Sequence, residues 1–97
     1  MATLRLRASA VGDLRGILEY SAGEYGIERA TAYMADIDRA FARLREFPEI
    51  GERRFELGDD LRSFPVGEHR LYYRFSAGHV SVVRVLHKAR DAKRWLH

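Results

Sequence analysis

The clearest pattern in the chain is a helical stripe. Ile27, Ala30, Met34, Ile37, Phe41 and Leu44 recur at spacings of 3, 4, 3, 4 and 3, while the opposite face carries Glu28, Arg39 and Arg43. That period fits one apolar side of an α-helix. Phe47-Pro48 ends it, because proline disfavours the helical conformation in the residue before it. A weaker stripe precedes it. Val11, Leu14, Leu18 and Tyr25, supported by Ile17, predict a first helix near 10–24 with Ser9 as its N-cap. Gly12 and Gly16 lie inside that helix, each at about 1 kcal/mol relative to alanine. The segment Gly23 to Gly26 breaks the two helices apart. Two amphipathic helices on a short connection form an antiparallel hairpin, and each needs a sheet against which to bury its stripe.

The remaining patterns have period two. Thr3 to Arg7 alternates Leu4 and Leu6 with Arg5 and Arg7, a short strand with one buried face. Glu49 to Asp60 is a polar connector with Gly51 and Gly58, within which Arg53–Leu57 is read as extended. Three strands follow, at Leu61–Val66, His69–Phe75 and Val80–His87. In the second, Leu71, Tyr73 and Phe75 face one way and Arg70, Tyr72 and Arg74 the other; Tyr73 is expected in the core and Tyr72 half-buried. Ser76-Ala77-Gly78-His79 is a hairpin turn. The run VSVVRVL is apolar on both faces, as in a central strand. Pro65 places its strand at an edge or marks its end. Asp91 caps a short terminal helix carrying Trp95 and Leu96. The expected fold is α+β: an N-terminal strand, an antiparallel helical hairpin packed on a mainly antiparallel sheet of about four strands, and a short C-terminal segment.

Ninety-seven residues predict one domain, 1–97, because a second core does not fit. The absence of cysteine excludes a disulfide framework and thiolate metal sites. The N-terminus lacks the apolar stretch of a signal peptide, and no run approaches the roughly 20 residues of a membrane span, so a cytoplasmic protein is expected. Charge changes the picture more. Residues 1–60 carry nine arginines and twelve acids, and residues 61–97 carry eight Arg or Lys and two acids, so a net −3 half is followed by a net +6 half. A cationic half of this kind suits a polyanion or an acidic peptide.

The polar residues exclude several chemistries. His69, His79, His87 and His97 are scattered without metal-ligand spacing, and there is no nucleophile elbow, P-loop or dinucleotide fingerprint. His87, ahead of Lys88 and Arg90, reads either as a general acid or phosphate contact or as a strand-end histidine bonded to a carbonyl. Asp59 and Asp60 are adjacent, which suits a loop or helix start better than a carboxylate pair. Arg62, Arg70, Arg74 and Arg84 sit within strands and must either meet a carboxylate, such as Asp36 or Asp38, or leave the sheet for RNA phosphate or an acidic peptide. For Arg84, flanked by valines, the internal bridge is the stronger expectation.

The order of these residues resembles the RelE/ParE toxins of type II toxin–antitoxin modules, and most closely the ParE branch. The resemblance rests on Asp13-Leu14 with Ile17 and Tyr20, Ala30 and Ile37, Phe47-Pro48 with Gly51, Leu61-Arg62, Tyr73-Arg74, Arg84-Val85-Leu86-His87 and Arg90-Asp91. It spans nearly the whole chain. It implies a growth-inhibiting toxin without cofactor or metal, neutralised by a ParD-like antitoxin whose acidic, amphipathic C-terminal segment wraps it in a hetero-oligomeric complex. Promoter DNA is then bound only through the antitoxin. ParE-like members of the family inhibit DNA gyrase; RelE-like members cleave mRNA on the ribosome with lysine, arginine and often a tyrosine or histidine. The lysines of the RelE-like pattern fall at Gly58 to Asp60, where aspartates repel phosphate, and DAKRWLH offers no tyrosine. The resemblance therefore implies a non-enzymatic gyrase poison with Arg62, Arg70, Arg74, His87, Lys88 and Arg90 contacting antitoxin or target. The alternative is an mRNA endonuclease that uses Arg62, Arg70, His87 and Lys88.

Overall fold

A computed structural model describes residues 1–96; His97 lies outside the described residues. The elements run β1 (Thr3–Leu6), α1 (Ala8–Tyr25), α2 (Ile27–Glu46), β2 (Glu52–Arg53), β3 (Leu61–Val66), β4 (His69–Ser76), β5 (His79–His87) and α3 (Ala92–Trp95). The helical hairpin, the three long strands and the capped terminal turn stand where the hydrophobic pattern places them. Asp91 accepts a bond from the Lys93 amide at 3.2 Å, as an N-cap does.

The sheet order is β1-β5-β4-β3-β2. It is mixed and has five strands. β1 runs parallel to β5, with Thr3 opposite His79, and the other pairings are antiparallel. The fifth strand, β2, pairs only two residues, too few for a period to register. The expected extended stretch Arg53–Leu57 is mostly turn, because the Leu57 and Gly58 amides both bond back to the Arg54 carbonyl. Beyond Ser63, β3 has no β2 partner, so Pro65 lies on a bare edge where no ladder N–H is required.

α1 and α2 cover one face of the sheet. Ile37, Phe41 and Leu44 of α2 pack with Ala10 and Ile17 of α1 onto Leu71, Tyr73, Val80, Val82 and Val85. A register shift opposite Tyr72/Tyr73 leaves Val83 without a partner. This bulge lets Val82 and Val85, three residues apart, share the helix side, while Leu86 joins Leu61, Tyr72 and Ala92 on the other. That second face is partly roofed by α3 and Leu57, so β5 is apolar on both sides and Tyr72 is buried rather than half-buried.

Three details of the hairpin differ from the pattern. Arg7, extended at φ −66°, ψ 156°, precedes the first helical residue, so Ser9 lies inside α1 and its hydroxyl donates to the Val83 carbonyl at 2.8 Å. Gly26 alone, at φ 89°, makes the break; Gly23 stays helical because any residue tolerates that backbone. The buried side of α1 runs through Ala10 and Ile17, leaving Val11 and Tyr25 of the expected stripe exposed; on α2, Ile27 is exposed and Ala40 buried.

Two tyrosines fasten loops to this frame. The Tyr73 hydroxyl donates to the Pro48 carbonyl at 2.8 Å and accepts the Gly51 amide at 2.9 Å. A Cβ on Gly51 would stand 2.5 Å from that oxygen, so only glycine fits. The Tyr33 hydroxyl accepts the Glu68 amide at 3.0 Å beside Gly67, whose φ of 55° makes the β3–β4 turn.

Candidate functional site

Arg84 is the most fully engaged cation. Its Nε and one Nη donate to the two Asp13 oxygens at 2.8 and 2.7 Å, and the Val85 amide donates to the same carboxylate at 2.9 Å. The other Nη donates to the Trp95 carbonyl at 2.8 Å. The expected internal bridge is therefore present, with Asp13 of α1 as partner in place of Asp36 or Asp38. Hydrogen bonding to Asp13 raises the Arg84 pKa above its ordinary value. Asp36 instead pairs with Arg39 on the surface of α2.

The structure does not gather the six expected contact residues into one site. Arg62 donates to the Glu49 and Gly51 carbonyls, both at 3.0 Å, and so holds the connector against the sheet. Arg74 donates to Asp60 at 3.0 Å. Lys88 pairs with Glu68 at 2.8 Å, and that hydrogen bond draws the Glu68 pKa below its ordinary value. Arg90 lies over the Trp95 ring at 4.5 Å. Arg70 stands on the outer sheet face beside Arg54, Ser63 and Pro65, and makes no side-chain hydrogen bond or ion pair among the described residues. Among the described residues, four of the eight cations of that half are paired with carboxylates, Arg62, Arg74 and Arg84 with acids of the other half and Lys88 with Glu68.

His87 does not bond a strand-end carbonyl; its Nδ1 accepts the Ala89 amide at 3.0 Å. It lies directly opposite His69 on β4, with the two rings edge to face at 5.4 Å. His69 Nδ1 is 2.6 Å from the Tyr33 hydroxyl. Burial, and then the neighbouring His87, push the His69 pKa down, while burial pushes that of Tyr33 up. Both imidazoles line two adjoining cavities between the helical hairpin and the β3–β4 turn, of about 430 and 560 Å³. The pattern gave no sign that Tyr20, Tyr25, Arg29, Tyr33 and His69 would meet here. One signal was available: Tyr20 is a large ring that lies outside the apolar stripe read for the first helix. Among the described residues, no three His, Cys, Asp or Glu groups come together to hold a metal ion, and no helix is long and apolar enough to cross a membrane.

Comparison with known proteins adds family to this geometry. The model of the family described as the ParE toxin of type II toxin–antitoxin system, parDE, matches residues 4–92. Toxin ParE1 of Mycobacterium tuberculosis is 31% identical over 90 residues, covering 92% of each chain. A solved chromosomal ParDE toxin–antitoxin system from P. aeruginosa superposes with a TM-score of 0.78 over 90% of this chain and 96% of that one, at 19% identity, and so shares the fold. The toxin–antitoxin complex RelBE2 of M. tuberculosis superposes with a TM-score of 0.63 at 25% identity, over 90% and 98%.

Proposed function

The chain belongs to the ParE toxin family of type II toxin–antitoxin systems, and from that membership we propose that it is a single-domain, cytoplasmic growth inhibitor that poisons DNA gyrase by protein–protein contact. A ParD-like antitoxin neutralises it, and promoter DNA is bound only through that antitoxin. The observation that carries the reading is the family match over residues 4–92. The state of the cations supports a non-enzymatic mode. A phosphate-cleaving site needs uncommitted cations and a proton donor aimed at one point. Here Arg62 and Lys88 are held by internal acceptors, the His87 Nδ1 is occupied, and Asp59 and Asp60 stand in the turn before β3. Of the four residues that an endonuclease would use, Arg70 alone is uncommitted, and we assign it to target contact.

A supercoiling assay with purified gyrase tests this. Toxin is expected to trap cleaved DNA and to suppress supercoiling; full supercoiling at excess toxin, with no trapped cleavage complex, would refute the assignment. One observation favours a second reading, the likeness to the RelBE2 complex. A ribosome-dependent endonuclease predicts cuts within codons after toxin induction, read by primer extension on a translated message; intact transcripts exclude it.

A further inference from the structure

We infer that His69 and His87 form a two-histidine site for a late divalent transition ion of the Ni²⁺, Cu²⁺ and Zn²⁺ class, with the remaining coordination positions open to water. The inference is independent of whether gyrase or the ribosome is the target.

Strand pairing brings together two residues that lie 18 positions apart in the chain. His69 of β4 stands directly opposite His87 of β5. In the adjoining pair, the Lys88 amide donates to the Glu68 carbonyl at 2.8 Å. Antiparallel ladders alternate such pairs with pairs that exchange no main-chain bond, so His69 and His87 form one of the latter, with Cα atoms about 4.5 Å apart and side chains close. A tetrahedral ion held at about 2.0–2.1 Å by one nitrogen of each ring puts the ring centres about 5.2 Å apart. The observed separation is 5.4 Å, with the rings edge to face.

His69 has the hydrogen bonding of a ligand. The Tyr33 hydroxyl accepts the Glu68 amide at 3.0 Å and donates to the Val66 carbonyl at 3.1 Å. Its one proton is thereby used, so His69 Nδ1 donates to it at 2.6 Å and Nε2 keeps its lone pair. An imidazole oriented by a hydrogen bond from its other nitrogen is the usual state of a metal-binding histidine. Burial also keeps this ring unprotonated at neutral pH. His87 is exposed, and its bond from the Ala89 amide is a surface contact that an ion can displace.

The surroundings select the ion. The nearby carboxylates are taken, Glu68 by Lys88 and Asp13 by Arg84. Mg²⁺ and Ca²⁺ need oxygen ligands and gain nothing here, whereas ions that favour imidazole do. Two protein ligands fill half of a tetrahedral set, and the two cavities that both rings line leave room for water in the rest. A bound ion would link β4 to β5 at the end of the ladder.

The test titrates chelator-treated, full-length toxin with Zn²⁺ by calorimetry, and follows the imidazole nitrogens by NMR. One ion per chain should bind with a dissociation constant on the order of 1–100 μM at pH 7.5, since only half the ligand set is protein. Cu²⁺ should bind more tightly than Zn²⁺, and Mg²⁺ should produce no heat. Binding should weaken below about pH 6.5, where histidine takes up a proton. The nitrogens of His69 and His87 should shift together. His87→Asn removes an exposed ring and should lower affinity about tenfold or more, with the fold retained by dichroism. The double variant His79→Asn/His97→Asn should bind as wild type does. No saturable Zn²⁺ binding below about 1 mM, unchanged affinity in His87→Asn, or loss confined to the His79/His97 variant overturns the site.

Discussion

Replacing Asp13 with asparagine tests whether the Arg84 bridge fastens three elements into one cooperative unit. The carboxylate accepts three hydrogen bonds, two from Arg84 and one from the Val85 amide, and the Arg84 guanidinium also holds the Trp95 carbonyl. The side chains are 15% and 18% exposed. Removing one partner of a fully buried pair costs about 3–5 kcal/mol, because the other charge is left without compensation. Partial exposure and the surviving bond to Trp95 reduce that to about 2–4 kcal/mol. In a domain whose total stability is about 5–15 kcal/mol, this amounts to a melting temperature lower by roughly 10–25 °C. The chain has one tryptophan, so Trp95 emission reports α3 while far-ultraviolet dichroism reports the whole. The variant's two unfolding curves should separate, with the fluorescence change coming first. Arg84→Met should cost a similar amount, and the double variant Asp13→Leu/Arg84→Met should recover much of the loss, since an apolar pair leaves no buried charge. A cost below about 0.5 kcal/mol for Asp13→Asn, or additivity of Asp13→Leu and Arg84→Met in the double variant within about 0.5 kcal/mol, would refute the argument.

Other outcomes follow from single contacts. Tyr73→Phe leaves the Pro48 carbonyl and Gly51 amide without their partner and should lower the unfolding free energy by about 1–3 kcal/mol in urea titration. Ala77→Asn should raise it by about 1 kcal/mol, because Ala77 and Gly78 both have positive φ, the backbone of a two-residue hairpin turn in which Asn-Gly is preferred and alanine is strained. His69 should make stability fall with acid. Its depressed pKa means that, below the ordinary value of about 6.5, the unfolded chain binds a proton that the folded chain resists, so its contribution is complete above that pH and lost as pH falls toward the folded pKa. His69→Gln should flatten the decline in urea midpoint between about pH 7.5 and 5.5; an unchanged slope would assign it to other groups.

The fold was legible where one period dominated. The α2 stripe and the three long strands have it, because each buries one continuous face or is covered on both. The helix α1 was legible but its buried side was misread for a physical reason: it has large apolar groups on a flank that nothing among the described residues covers, while its deepest residue, Ala10, is too small to weigh in a hydrophobic pattern. The site was less legible than the fold. An arginine among valines announces a buried acid, but thirteen acids precede it, and only the packing of α1 against β5 selects Asp13, 71 positions away. The run of cations after Leu61 suggested a binding face because sequence shows charge without its neutralisation. Arg62, Arg74 and Lys88 are consumed by contacts that no spacing encodes.

The parallel pairing of β1 with β5 sets the order in which a nascent chain can fold. Thr3 waits for His79, and the strand between β1 and β4 is the last part of the sheet to be made. At about 5–20 residues per second, the N-terminal strand and the apolar stripe of the helical hairpin spend roughly 4–15 s without the surface they pack on. The sheet core is therefore completed only after β5 has been read. A chain interrupted before Val80 is released without the strand that joins β1 to β4 and cannot form the toxin fold.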